Sequence, residues 1–268
     1  MQVDFDDQVV LALLMLRFSE AQMQSASHAL VERFATKLEG FLRDQVPLHS
    51  AAMGDDCLSV VARLSVDRAN ALGFHTEREL QIFAVYSMLF GSYFDSDPQM
   101  PWARDRLTRP GLEPWQRIDL FRARAEQEIV EQEETSARQD PLAVLVSLDP
   151  NEMAFGRVDY QTALSEWYAA LFPGKAKSMR SVDMRELSGR AEELSSSCGL
   201  SPQSGPKLMV ATMGVLGFGF YWDPRYRRLA TILGEKMPAA EKAEAFGDAG
   251  RELAAEWRAI TDGARHVS

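Results

Sequence analysis

Three aspartates and one glycine-rich run are the residues whose type and spacing could do chemistry. Asp95, Asp97 and Asp223 could serve as carboxylate ligands or general acids. A simpler account is local: Asp97-Pro98 and Asp223-Pro224 read as helix starts, with Asp as N-cap and Pro at the first helical position. Gly214, Gly217 and Gly219 suggest a phosphate loop, but the dinucleotide fingerprint needs a strand before its glycines and a helix after them. Here a helical pattern precedes them, so the reading is structural.

The remaining chemistry is sparse. His28, His49, His75 and His266 form no HxxxH or HExxH pair. Cys57 and Cys198 form no CxxC, and no serine lies in GxSxG. The sequence therefore assigns no catalytic, cofactor-binding or metal-ligating residue, and a non-enzyme is expected. An enzyme with a spatially assembled site would need a concave pocket holding titratable groups with displaced pKa values.

Charge narrows the partners. The 268 residues carry a formal net charge of −10. Clustered Lys and Arg are what phosphate binding requires, so direct nucleic-acid binding is not expected. An acidic protein suits a basic protein partner. On the long helix expected from about Trp115 to Thr135, Glu126, Glu128, Glu131, Glu133 and Glu134 crowd together. Such a run is usually a solvated face; as anything more, it is a docking surface for a cationic partner. Asp4, Asp6 and Asp7 stand before the apolar run Val9 to Leu16, where a signal peptide carries positive charge. That run is also too short to span a bilayer, so no membrane partner and a cytoplasmic location are expected.

The elements that must position these residues are helical and appear twice. Gly91, Phe94, Asp97, Pro98 and Leu107 face Gly217, Phe220, Asp223, Pro224 and Leu233, each pair 126 positions apart. The same spacing relates Phe34 to Tyr160, Phe41 to Trp167, Pro47 to Pro173, Met53 to Met179 and Gly73 to Gly199. The expected fold is all-α: two tandem copies of a four-helix-type unit, residues 1–136 and 141–268.

Local signals set the helix bounds. Ser19 with Gln22 and Thr76 with Glu79 read as capping boxes. The first helix should end before Pro47, and the second should run from Asp55 or Asp56 to Leu72 and stop at Gly73. In the second copy, Asp149-Pro150 reads as the start of the first helix. Ser201-Pro202 and Gly205-Pro206 should delay the third. The short apolar runs Val9 to Leu16 and Leu142 to Leu148 could each be a strand or an extra helical turn. Phe34, Phe41, Phe83, Phe90, Phe94, Tyr160, Trp167 and Phe220 are expected in the core.

The first copy resembles a family. Leu16-Arg17-Phe18 with Gln22, Phe34, Pro47, and the run Phe90, Gly91, Phe94, Asp95, Asp97, Pro98, Pro101, Trp102 and Ala103 are similar to a signature of bacterial accessory proteins. These are encoded beside spike and effector genes of type VI secretion systems. The resemblance covers roughly residues 16 to 124. The second copy keeps Gly217, Phe220, Asp223 and Pro224, with Arg227 and Arg228 in place of Pro101 and Trp102. The resemblance implies a protein that binds a secreted effector. Either it is an immunity protein that neutralises a cognate toxin, or an adaptor that loads the effector onto the spike. The acidic charge favours immunity against a toxin with a basic surface, as one acting on nucleic acid has.

Overall fold

The structure is a computed structural model that describes residues 20–136, 141–147 and 160–265. Every regular element among the described residues is helical. In chain order the α-helices of the first half are α1 (Glu20–Gln45), α2 (Pro47–Met53), α3 (Asp55–Ala71), α4 (Glu77–Phe90), α5 (Pro101–Leu107) and α6 (Pro114–Ser136). Those of the second are α7 (Pro141–Ser147), α8 (Tyr160–Leu171), α9 (Pro173–Ser178), α10 (Ser181–Ser197), α11 (Gly205–Leu216), α12 (Arg227–Gly234) and α13 (Ala239–Arg265). Two 3-10 turns, Phe94–Ser96 and Pro224–Tyr226, lie in the loops after α4 and α11.

Capping chemistry sets several of these bounds as the sequence suggests. Helix α1 ends at Gln45, and Pro47 opens α2, where a missing N–H has no helical partner to lose. Thr76 and Glu79 close a reciprocal capping box at the start of α4. Helix α3 ends in a left-handed Gly73, φ +83°, and the Phe74 N–H returns to the Ala69 carbonyl at 3.0 Å. Helix α10 ends the same way, with Gly199 at φ +69° and Leu200 N–H donating to Ser195 O at 3.0 Å. Helix α11 begins only at Gly205, after Pro202 and with Pro206 in its first turn.

Several element bounds lie 126 positions apart. Helices α3 and α10 begin at 55 and 181 and end at 71 and 197. Helices α4 and α11 end at 90 and 216, each followed by a positive-φ glycine, Gly91 and Gly217. The residues before α2 and α9, Val46 and Phe172, share an unusual backbone, φ −133° and −128°. The cores stay within their halves. Phe83, Phe94, Trp102 and Phe121 pack together in the first half, beside a second cluster around Leu38, Leu42 and Val61. Leu164, Tyr168, Leu187, Met209 and Phe220 pack together in the second.

Several expectations change. Asp97-Pro98 does not start a helix: α5 begins at Pro101, behind Met100. Asp223-Pro224 does: Asp223 is the N-cap of a 3-10 turn that runs into α12, and its carboxylate accepts the Arg225 N–H. The apolar run from Leu142 is helical: α7 packs against α11 and α13 with Leu145 buried. The run Val9 to Leu16, the Ser19 cap and Asp149-Pro150 lie outside the described residues. Of the aromatic core candidates, Phe83, Phe94 and Phe220 are fully buried, while Phe34, Phe41, Phe90 and Trp167 are half-buried. The Tyr160 side chain lies outside the described residues.

Candidate functional site

Two of the buried charged residues, Asp97 and Asp223, lie where the two halves meet, in the loops after α4 and α11. Each loop leaves its helix through a positive-φ glycine whose N–H still caps the last turn: Gly91 to Ser87 O at 3.1 Å, Gly217 to Met213 O at 3.0 Å. Each then presents a backbone N–H to the aspartate of the other half. Ser92 N–H donates to Asp223 Oδ2, and Phe218 N–H to Asp97 Oδ2, both at 2.9 Å. Ser92 and Phe218, like Asp97 and Asp223, are 126 positions apart, so the exchange is reciprocal.

A second reciprocal pair lies beside the first. Asp97 Oδ1 accepts the Gln99 N–H at 2.8 Å, and Asp223 Oδ1 accepts the Arg225 N–H at 3.1 Å. Both side chains then cross to the opposite helix end. Gln99 Nε2 donates to Met213 O at 2.9 Å, and Arg225 Nη1 to Met88 O at 3.1 Å. Gln99 Oε1 in turn accepts the Tyr168 hydroxyl at 2.7 Å. The crevice between the loops is lined by both aspartates and both glycines and leaves no room for even a water-sized group, so it is not a small-molecule site.

The two aspartates differ in electrostatics. Burial pushes the Asp97 carboxyl above its ordinary range, against the pull of Lys175 and of the Phe218 and Gln99 donors. Burial acts on Asp223 in the same direction, but Arg225 in direct contact and the Ser92 N–H bring it below the usual carboxylate range. Lys175 sits on the Gly214 carbonyl at 2.7 Å, and burial lowers its pKa. His49, 126 positions before Lys175, is held down at about 4, first by burial and then by Arg225. Its ring meets Trp257 of α13 edge-on at 5.1 Å.

The rim of this junction is aromatic, and its arginines are ion-paired. Tyr93 packs directly on Gly219, where an added Cβ would lie 2.4 Å from the ring. Arg68 covers the Tyr93 ring at 4.3 Å and pairs with Asp95 at 2.7 Å. Trp222 stands beside Tyr93, 40% exposed, with Arg190 over its ring at 4.7 Å. Arg104 and Glu186 add an ion pair between the halves at 3.0 Å.

The glutamate face on α6 is not uniform. Glu126 is exposed, and Arg122 lies 3.7 Å from it. Glu128 turns inward, 8% exposed, and binds Arg124 at 2.7 Å. Glu131 is exposed and 3.3 Å from the same arginine. The side chains of Glu133 and Glu134 lie outside the described residues.

Of the three candidate aspartates, Asp97 and Asp223 meet at the junction, and Asp95 is turned to Arg68 at its edge. Sequence reasoning missed Ser92, Gln99, Lys175, Phe218 and Arg225. The repeat spacing carried the signal, since it aligns Gln99 with Arg225 and His49 with Lys175. Among the described residues, no group of three His, Cys, Asp or Glu side chains is placed to hold a metal ion, and no helix is long and apolar enough to cross a membrane. Comparison with protein-family models, curated proteins and solved structures finds no match for this chain.

Proposed function

We propose that the chain consists of two copies of one helical unit, residues 1–136 and 141–268, and acts in the cytoplasm as a non-catalytic binding protein for a type VI secretion effector. In this reading it is an immunity protein. It captures a cognate toxin with a basic surface in the producing cell and needs no cofactor to do so. The observation that carries the reading is the use made of the buried charges. Asp97, Asp223 and Arg225 hold backbone groups of the opposite half, and Lys175 and Lys242 hold helix-end carbonyls. Groups spent on architecture in this way are not free to move protons on a substrate. What the surface offers a partner is recognition: Tyr93 and Trp222 with Arg68 and Arg190 at the junction, the residue types that anchor protein interfaces. The formal charge of −10 supports fast, salt-sensitive capture of a basic protein.

The test is co-expression in cells that the neighbouring effector kills when expressed alone. Immunity gives survival. Continued killing, together with loss of effector secretion when the gene is deleted, assigns the adaptor role instead.

A further inference from the structure

The two junction sites share the crossed bonds from aspartate to backbone and differ in their cation: Arg225 pairs directly with Asp223, while Lys175 acts on Asp97 from beyond ion-pair distance. At one site Asp223 is served by Arg225 of its own half, and the position across from it, His49, is uncharged near neutral pH. At the other, Gln99 stands where Arg225 would, and the cation is Lys175, which stands where His49 would. Both cations reach the same helix-end carbonyl of their site: Arg225 that of Met88 at 3.1 Å, Lys175 that of Gly214 at 2.7 Å. Met88 and Gly214 are themselves 126 positions apart. The cation has changed its place in the chain and kept its place in the site.

We infer that this displacement is a pairing code, by which the junction face of the first half accepts the second half and rejects another first half. Each site takes one group from position 99 or 225 of one half and one from position 49 or 175 of the other. A first half paired with a first half would combine Gln99 with His49, leaving each buried aspartate with no cation. A second half paired with a second half would combine Arg225 with Lys175, crowding two cations at one carbonyl. Only unlike halves give one cation per aspartate at both sites. Isolated and crowded buried charges are both strongly unfavourable, so the code discriminates by penalty more than by attraction. The inference rests on the correspondence of the two halves and is independent of any effector.

Two double variants of the full chain, with the same net charge as the parent, separate the outcomes. Gln99→Arg with Lys175→His moves the cation within its own site and keeps one per aspartate. His49→Lys with Lys175→His moves it to the other site, reproducing both like pairings inside one molecule. The first should melt close to the parent, and the second at least ~5 °C lower or fail to fold, as loss of a few kcal/mol implies at this size. The single variant Lys175→His should melt below the first double. If the two doubles melt alike, or Gln99→Arg fails to rescue Lys175→His, the code is wrong. Failure of either outcome leaves toxin capture untouched, since that is read by survival on co-expression.

Discussion

Asp97 grips the loop that leaves Gly217, and Asp223 grips the loop that leaves Gly91. Each carboxylate accepts a backbone N–H of the other half at 2.9 Å. Both aspartates are at most 2% exposed. A polar group this deeply buried is held by its partners or it destabilises the fold.

The first prediction weighs the two. As a simple helix cap, either aspartate would cost about 1 kcal/mol on truncation to alanine. Asp97→Ala instead orphans the Phe218 N–H and the Gln99 amide, which should raise the loss to about 1–3 kcal/mol. Asp223→Ala strands the buried Arg225 guanidinium without its carboxylate, so about 3–5 kcal/mol is expected. Denaturant melts of the two variants check the order. Equal losses near 1 kcal/mol would reduce both residues to caps.

A second prediction concerns close approach. A Cβ on Gly219 would fall 2.4 Å from the Tyr93 ring. Gly219→Ala must push Tyr93 off the junction, and overpacking of this kind costs about 1–3 kcal/mol. Gly189 lies exposed inside α10 with nothing near its would-be Cβ. There Gly189→Ala should stabilise by about 0.5–1 kcal/mol, as helix propensity requires. Melting temperatures should therefore move in opposite directions.

Acid should find His49 next. Its pKa is about 4 in the folded chain against an ordinary 6.5. The unfolded chain binds the proton more tightly, so stability is complete above pH 6.5 and is lost as the pH falls toward 4. The difference amounts to about 3 kcal/mol. His49→Gln should flatten the pH dependence of the unfolding free energy between these limits. A slope equal to that of the parent would mean that other groups carry it.

Much of the fold could be read from the sequence, and the junction could be read only in part. The helix ends at Gly73 and Thr76 follow from local chemistry, because a left-handed glycine and a capping box need only neighbours a few residues away. Asp97 shows the limit. Its sequence context and its bonds to the i+2 N–H and to the opposite loop match those of Asp223, but no helical turn follows it until Pro101. Lys175 and His49 do not resemble each other, so their equivalence emerges only when the spacing of 126 is carried through unlike residues. The burial of Glu128 is not legible in a run of glutamates: Arg124, one turn before it, lies over the Trp102 ring and pairs with the Glu128 carboxylate there.

The last prediction concerns the partner. Trp222 is the exposed aromatic at the junction, held at its edge by Tyr93 and Tyr221 and covered by Arg190. Its packing duty is light, since 40% of it faces solvent and it belongs to none of the buried clusters. Trp222→Ala should therefore change the melting temperature little. If the toxin docks on this rim, the same change should weaken binding by 2 kcal/mol or more, about 30-fold in Kd, because pre-positioned Trp, Tyr and Arg side chains dominate interfaces. Glu126→Gln, on the outer face of α6, should act differently: it should slow association slightly and reduce its salt dependence, leaving dissociation unchanged. Titration calorimetry for the first and stopped-flow kinetics for the second tell the anchor from the steering charge. Unchanged affinity in Trp222→Ala would move the docking surface away from the junction.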